Sequence, residues 1–265
     1  MMETERRKEP ALMNPYLKNL HRIEFAVTNA CTGRCRHCQN GESPYTRVHI
    51  DPSAAVKAVR QISEHYHVTS LMTFGGEPLL YPEIVCEIQR TAADRNIARR
   101  QIITNGYFSN DLRRIETVTR MIRESGVNDL LLSADAFHQE TIPLEPVIHF
   151  ARCAVKEGIP VRLSPAWLVS LEDDNPYNLK TKEIIQAFEN IHIPVAKGNI
   201  IYPSGNALKY LREYFGENIT ASSPYEEDPK DIRTVSFAAD GSVLNGNIYQ
   251  SDILEIIQAY RPSSK

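Results

Sequence analysis

Residues 22–42 read RIEFAVTNACTGRCRHCQNGE. The first seven residues alternate in character and predict a β-strand. The strand runs straight into a loop carrying Cys31, Cys35 and Cys38, three of the chain's five cysteines. Gly33 and Gly41 suit tight turns there. Thiols this close admit three readings. A structural zinc site wants four ligands, usually built from cysteine pairs two residues apart; His37 is present, but between Cys35 and Cys38 it cannot easily share their focus. A redox dithiol needs C-x-x-C, which Cys35 and Cys38 satisfy, and leaves Cys31 unexplained. A [4Fe–4S] cluster on three thiolates uses all three and keeps its fourth iron open to another ligand. The unequal spacing and the lack of a fourth nearby cysteine favour the cluster. Arg34 and Arg36 read either as charge partners of such a cluster or as solvated loop arginines.

Outward from this loop, strand-like and helix-like patterns alternate. DPSAAVKAVRQISEHY (51–66) predicts a helix, with Asp51 as cap and Pro52 at the first position. TSLMTFGG (69–76) predicts a strand and turn, and residues 82–94 a helix. Strands follow at 100–106, 129–135, 161–169 and 197–205, with helices at 111–126, 145–160 and 181–190 between them. About six βα steps result, which supports a parallel sheet covered by helices. Periodicity alone leaves an open doubly wound sheet and a full or partial barrel as alternatives. In each, the loops leaving the strands' C-terminal ends form the natural site. Cys86 and Cys153 fall at apolar positions of helices and read as core thiols. Beyond residue 216, a linker at 221–231 precedes a hairpin turning at Asp240-Gly241 and a helix at 251–260.

Cys31-x3-Cys35-x2-Cys38, placed after a first strand, resembles the signature of the radical S-adenosylmethionine (radical SAM) superfamily. GGEP (75–78), after the second strand, resembles that superfamily's Gly-Gly-Glu motif. The resemblance spans residues 22 to about 205. It implies an α/β fold, a partial (β/α)6 TIM-like barrel, divided as an arm (1–20), the barrel (21–216) and a linker with a short β-hairpin and helix extension (217–265). It implies one [4Fe–4S] cluster on Cys31, Cys35 and Cys38, with S-adenosylmethionine (SAM) chelated to the remaining iron. Gly75 and Gly76 would give close backbone approach to SAM, and Glu77 an acceptor for its ammonium. His37 takes the aromatic position near the adenine. Asn105, Ser133 and Asp135, with Arg162 and Ser164 on the fifth strand, are the expected polar SAM contacts. His138, Gln139 and Trp167 are the substrate candidates, and Tyr214 reads as a packed aromatic.

The implied activity is reductive cleavage of SAM to a 5′-deoxyadenosyl radical that abstracts hydrogen from a substrate. A flavodoxin- or ferredoxin-like electron donor is expected, and a peptide or protein side chain as substrate. The alternatives are a small-molecule radical SAM enzyme and a non-catalytic iron–sulfur or zinc scaffold. The tail resembles a degenerate form of the extension of peptide-modifying members. That extension carries auxiliary-cluster cysteines, whereas this sequence has none after Cys153. Composition bounds the rest. With 42% hydrophobic and 24% charged residues, the chain reads as globular rather than disordered. A net charge of −3 argues against a nucleic-acid partner. No run of about 18 apolar residues predicts a membrane span. The charged start, MMETERRKEP, does not read as a secretory signal, so a cytoplasmic location is expected.

Overall fold

The fold is described from a computed structural model, which covers residues 14–41, 48–216, 223 and 226–262. β1 (Arg22–Thr28) buries Ile23, Phe25 and Val27 on one face and turns Arg22 and Glu24 to the other. This two-residue period sends the apolar set under the helices and the polar set into the hollow of the sheet. α1 (Pro52–His65) starts where expected: Asp51 Oδ1 accepts from Ala54 N at 2.7 Å, and Pro52 fixes the first turn.

The chain continues through β2 (Ser70–Gly75), α2 (Pro82–Asp94), β3 (Arg99–Thr104), α3 (Leu112–Glu124) and β4 (Asp129–Leu132). A single turn, α4 (Ala136–Gln139), precedes α5 (Leu144–Lys156) and β5 (Val161–Leu163). Next come β6 (Ala166–Trp167), α6 (Pro176–Gln186), β7 (Asn199–Ile200) and α7 (Gly205–Tyr210). β8 (Thr234–Phe237), β9 (Ser242–Val243), β10 (Gly246–Asn247) and α8 (Ile253–Ala259) complete the order.

The main sheet runs β10-β9-β8-β1-β2-β3-β4-β5, parallel from β8 through β5 and antiparallel across β8, β9 and β10. It does not close, so the partial-barrel expectation matches the architecture. The predicted sixth strand takes a different form. β7 pairs in parallel with β6 in a separate two-stranded sheet, joined to β5 by a bridge between Leu163 and Val195. Two short helices, α4 and α7, lie where only loop and turn were expected. Both are too brief for helical periodicity to register.

The tail shares the main sheet. β8 pairs with β1 from Arg22↔Thr234 to Phe25↔Phe237, and the hairpin turns at Asp240-Gly241 as expected, with Gly241 at φ +82°. Residues 1–13 of the expected arm, and 217–222 and 224–225 of the expected linker region, lie outside the described residues. Residues 14–20 do not form a loose arm: Leu17 and Leu20 are buried in the core. Asn14 Nδ2 donates to the carbonyls of Ile257 and Tyr260 at 2.8 and 2.9 Å. Cys86 is a core thiol, but Cys153 is partly exposed on α5, with its sulfur 3.5 Å from His149 Nε2. Among the described residues, no helix is long and apolar enough to cross a membrane.

Candidate active site

The C-terminal ends of β1 to β5 open onto a cavity of about 1550 Å³. Cys31, Cys35 and Cys38 line its mouth; Arg22, Glu24, Thr234 and Ser236 line its floor. The cysteine loop is held from several sides. Thr32 Oγ1 donates to the Tyr107 carbonyl at 2.6 Å, and Arg34 N donates to Thr141 Oγ1 at 2.9 Å. Asn206 N donates to the Cys38 carbonyl at 2.9 Å, and its Nδ2 to the Cys35 carbonyl at 3.1 Å. Gly205 makes that clasp feasible. At φ +48°, a Cβ there would stand 2.4 Å from the Gln39 carbonyl oxygen and 2.6 Å from that of Cys38.

The three thiols are near enough to raise one another's proton affinity. Burial lifts Cys31 to about 11, with smaller contributions from Glu77 and Cys38. Burial also lifts Cys35, helped by Asp135, Cys31 and Cys38, and it lifts Cys38 as well. As free thiols all three therefore stay protonated at neutral pH, and a metal that binds them must displace their protons. Donors point at the sulfurs: Gly33 N–H and Asn105 Nδ2 lie 3.4 and 3.6 Å from Cys31 Sγ, and backbone N–H groups of Asn40 and Gly41 reach Cys38. Three soft thiol ligands ringed by N–H donors, lining a roomy cavity, fit an iron–sulfur cluster, which Cys31, Cys35 and Cys38 would hold.

The remaining candidates divide by where they point. Gly75, Gly76, Asn105, Ser133, Asp135, Ser164, His37 and His138 line the cavity. Gly75 and Gly76, however, approach this chain's own backbone. A Cβ on Gly75 would lie 2.4 Å from the Thr28 carbonyl oxygen, and one on Gly76 would lie 2.1 Å from that of Ala30. The two glycines let β2 pass flush against the exit of β1. Glu77 is fully buried, and its carboxylate accepts from Thr104 Oγ1 (2.7 Å), Asn105 N (2.8 Å) and Leu79 N (2.9 Å). Burial raises its proton affinity to about 7 against the pull of those donors. It braces the β3 exit instead of presenting a free acceptor.

Asp135 is likewise fully buried. It caps α4 through Phe137 N and His138 N, and holds Ala166 N and His138 Nδ1 at 2.9 and 2.8 Å. Arg162 is not in the cavity wall. It forms a two-pronged ion pair with Asp129, which Arg99 and Gln101 also engage; Arg99 and Asp129 begin β3 and β4, at the end of the sheet opposite the cysteine loop. Gln139 Oε1 turns back to Asp135 N at 2.9 Å. Trp167 is buried, and its indole donates to the Lys197 carbonyl at 3.0 Å, so it packs and offers no substrate platform. Tyr214 packs edge-on to Tyr177, as expected.

Arg34 donates to the carbonyls of Cys31 and Gly33, while Arg36 pairs with Glu140. Arg36's charge is thus already matched. His37 contacts the rings of Phe137 and His138 at 5.1 and 4.9 Å between centroids, and burial, with the neighbouring His138, depresses it to about 4. It is a neutral ring at physiological pH, and its Nδ1 is buried without a partner. Ligand atoms of Cys35, His37 and His138 lie within 4.8 Å of one another, so His37 comes closer to the cysteine focus than its place in the sequence suggests. Sequence reading missed Gly205 and Asn206. The signal was the SGN within YPSGNA (202–207), a glycine just before an amide-bearing side chain.

Comparison with known proteins now bears on this site. The sequence model of the Radical SAM superfamily matches residues 25–165. The chain is 24% identical over 156 residues to the probable GTP 3′,8-cyclase of Methanocaldococcus jannaschii, covering 56% of this chain and 48% of that one. It is 27% identical over 139 residues to the GTP 3′,8-cyclase of Chlorobaculum tepidum, covering 52% and 40%. These matches span less than half the length of either relative. Among solved structures, Streptococcus suis SuiB bound to S-adenosylmethionine superposes with a TM-score of 0.61 at 14% identity, covering 92% of this chain and 69% of that one. Native anSMEcpe with bound AdoMet gives 0.55 at 14% identity, covering 88% and 76%. At such identity the likeness speaks for the fold alone. The superfamily's enzymes use a [4Fe–4S] cluster and SAM. The match to the superfamily covers more than half of the sequence, over the strands that build the cavity and the loop that carries the thiols, and the chain belongs to the radical SAM superfamily.

Proposed function

We propose that Cys31, Cys35 and Cys38 hold one [4Fe–4S] cluster, and that the chain cleaves SAM reductively to act on a substrate seated deeper in the same cavity. One observation carries this reading: the three thiols stand at the mouth of a single continuous hollow whose floor is polar and charged. Bound there, the cluster and SAM supply one-electron cleavage of the sulfonium and removal of a hydrogen atom from substrate. The chain's own residues position and exclude. Gly75 and Gly76 line the cavity with backbone and let β2 pass flush against the strand that leads into the thiol loop. His37, neutral and flat, offers its ring to the adenine. Asn105, with Nδ2 toward Cys31, and Ser133 and Ser164, on neighbouring strand ends, offer polar contacts to SAM. Glu77 acts through Thr104 and Asn105, and Asp135 through His138. The electron comes from an external flavodoxin- or ferredoxin-like donor.

The proposed substrate is a peptide or protein side chain. SuiB also superposes when bound to its precursor peptide, with a TM-score of 0.57, and the cavity here is large enough for an extended segment. A small polar molecule is the second reading, favoured by the floor. There, Arg22 Nε lies 2.5 Å from Glu24 Oε1, and Ser236 Oγ donates to Glu24 Oε2 at 2.9 Å.

Anaerobic reconstitution with iron and sulfide, reduction and addition of SAM test the chemistry. The expected result is 5′-deoxyadenosine, absent in Cys35→Ser. Bound zinc without sulfide would overturn the reading. Adding a peptide library or a set of polar metabolites and following the label from deuterated substrates into 5′-deoxyadenosine then separates the two substrate classes.

A further inference from the structure

On the outer helical layer, away from the cavity, α3 and α5 bring together Glu116, His149 and Cys153. Cys153 Sγ lies 3.5 Å from His149 Nε2, and His149 Nε2 lies 3.8 Å from Glu116 Oε1. Ligand atoms of all three fall within 4.8 Å of one another. His149 and Cys153 are four residues apart on α5, so the helix itself stacks them on one face. We propose that this cluster is a zinc site.

The spacing fits the ion. A tetrahedral zinc with a Zn–S bond of ~2.3 Å and a Zn–N bond of ~2.05 Å sets its sulfur and nitrogen about 3.6 Å apart. The observed separation is 3.5 Å. The same geometry wants nitrogen and carboxylate oxygen about 3.3 Å apart, half an ångström closer than found. Glu116 can supply that movement, because its side chain is 55% exposed and free to swing inward.

One thiolate, one imidazole and one carboxylate form a donor set of borderline softness, the class zinc prefers over magnesium or calcium. Cys153 binds as the thiolate, its proton passing to solvent, and water takes the fourth position. Arg120, Lys156 and Glu157 line the same small hollow. The two cations weaken the site, while Glu157, with Glu116 and the thiolate, brings the anionic groups to three against the ion's two positive charges. Bound zinc would clip α3 to α5 behind β3 and β4, the strands whose ends carry Asn105 and Ser133.

The test uses the full chain loaded with its cluster and titrated with zinc, with metal counted by mass spectrometry and local structure read from the zinc absorption edge. The expected result is one zinc per chain with a single sulfur at ~2.3 Å and the remaining ligands nitrogen or oxygen. Cys153→Ala and His149→Ala are each expected to weaken binding at least about tenfold, while Cys86→Ala leaves it unchanged. A zinc shell of two or three sulfurs would assign the metal to Cys31, Cys35 and Cys38 and overturn the proposal. Unaltered affinity in Cys153→Ala would overturn it equally. Should a variant fold poorly, Glu116→Gln on the exposed face is expected to lower affinity without changing the melting temperature of the metal-free protein.

Discussion

At the level of single residues, the site's carboxylates are structural parts before they are anything else. Asp135 accepts from three backbone N–H groups and from His138 Nδ1. An ionised carboxylate only accepts, so Nδ1 carries the proton. Burial alone would raise Asp135; the charge and hydrogen bonds of His138 outweigh it and hold the group at about 2. Burial likewise opposes the charged form of His138, and Asp135 overcomes it to raise the imidazole. The signs then follow. Asp135's contribution to stability is present above its ordinary 3.8 and is lost as pH falls through about 2. His138's contribution is present below its ordinary 6.5 and is lost as pH rises through its raised value. The pair's own contribution, read as the difference in urea-unfolding stability between the parent and Asp135→Asn across pH, should show a plateau from about 4 to 6.5 that declines on both sides. Asp135→Asn places an amide NH2 among N–H donors and is expected to cost ~3 kcal/mol at pH 6, removing the alkaline decline. A variant as stable as the parent would show that the four donors find other acceptors.

At the level of elements, the tight junctions are where β1 meets β2 and where α7 meets the cysteine loop, and glycine makes both. Gly76→Ala drives a methyl group into the carbonyl oxygens of Ala30 and Asn29, in a segment held against β2 by the bonds from Gly76 N to the Thr28 carbonyl and from Glu77 N to the Ala30 carbonyl. A loss of ~3 kcal/mol or more is expected. Gly158→Ala is the opposite case, a left-handed backbone at φ +71° with nothing within 4 Å of the added methyl, so only about 1 kcal/mol is expected. Thermal melts of the two variants test the order, and equal costs would refute the steric argument. Gly205→Ala should leave the core intact while loosening the clasp from Asn206. Its expected signature is cluster loss to a chelator about tenfold faster, with little change in melting temperature. These junctions also explain what was legible in the sequence. Asp51-Pro52 and Asp111 announce their helices through local capping chemistry, and the alternation in 22–28 announces a half-buried strand. The close spacing of the three cysteines announces that they meet at one cavity. Glu77 and Arg162 did not, because the direction of a rim side chain depends on partners such as Thr104, Asn105 and Asp129, brought in by other strands. The predicted strands at 161–169 and 197–205 contain β6 and β7, but their pairing in a separate sheet was not legible for the same reason, since it is purely tertiary.

At the level of the whole molecule, the tail beyond residue 231 is part of the barrel. β8 covers the edge of β1 that would otherwise offer unpaired N–H and C=O groups. Ser236 reaches Glu24 on the cavity floor, and Thr234 lines the same floor, so the segment that closes the edge also shapes the deepest part of the site. Phe237 stacks on Phe25 with ring centroids 4.6 Å apart at 13°, both rings fully buried. This contact joins the strand that leads into the thiol loop to a strand more than 200 residues later in the chain. Phe237→Ala should therefore act at a distance. A cost of ~4 kcal/mol is expected for the cavity and the lost stacking. Exchange of the β1 amides should rise with it, because the edge then opens without global unfolding. Ser236→Ala removes only the hydroxyl that caps Glu24. It is expected to leave the melting temperature nearly unchanged and to alter substrate-dependent turnover more than SAM cleavage without substrate. Hydrogen exchange at residues 22–28, paired with 5′-deoxyadenosine yield with and without substrate, separates the two effects. If Phe237→Ala destabilises the protein yet leaves β1 exchange at the parent rate, the tail is a docked appendage and the floor of the cavity belongs to β1 to β5 alone.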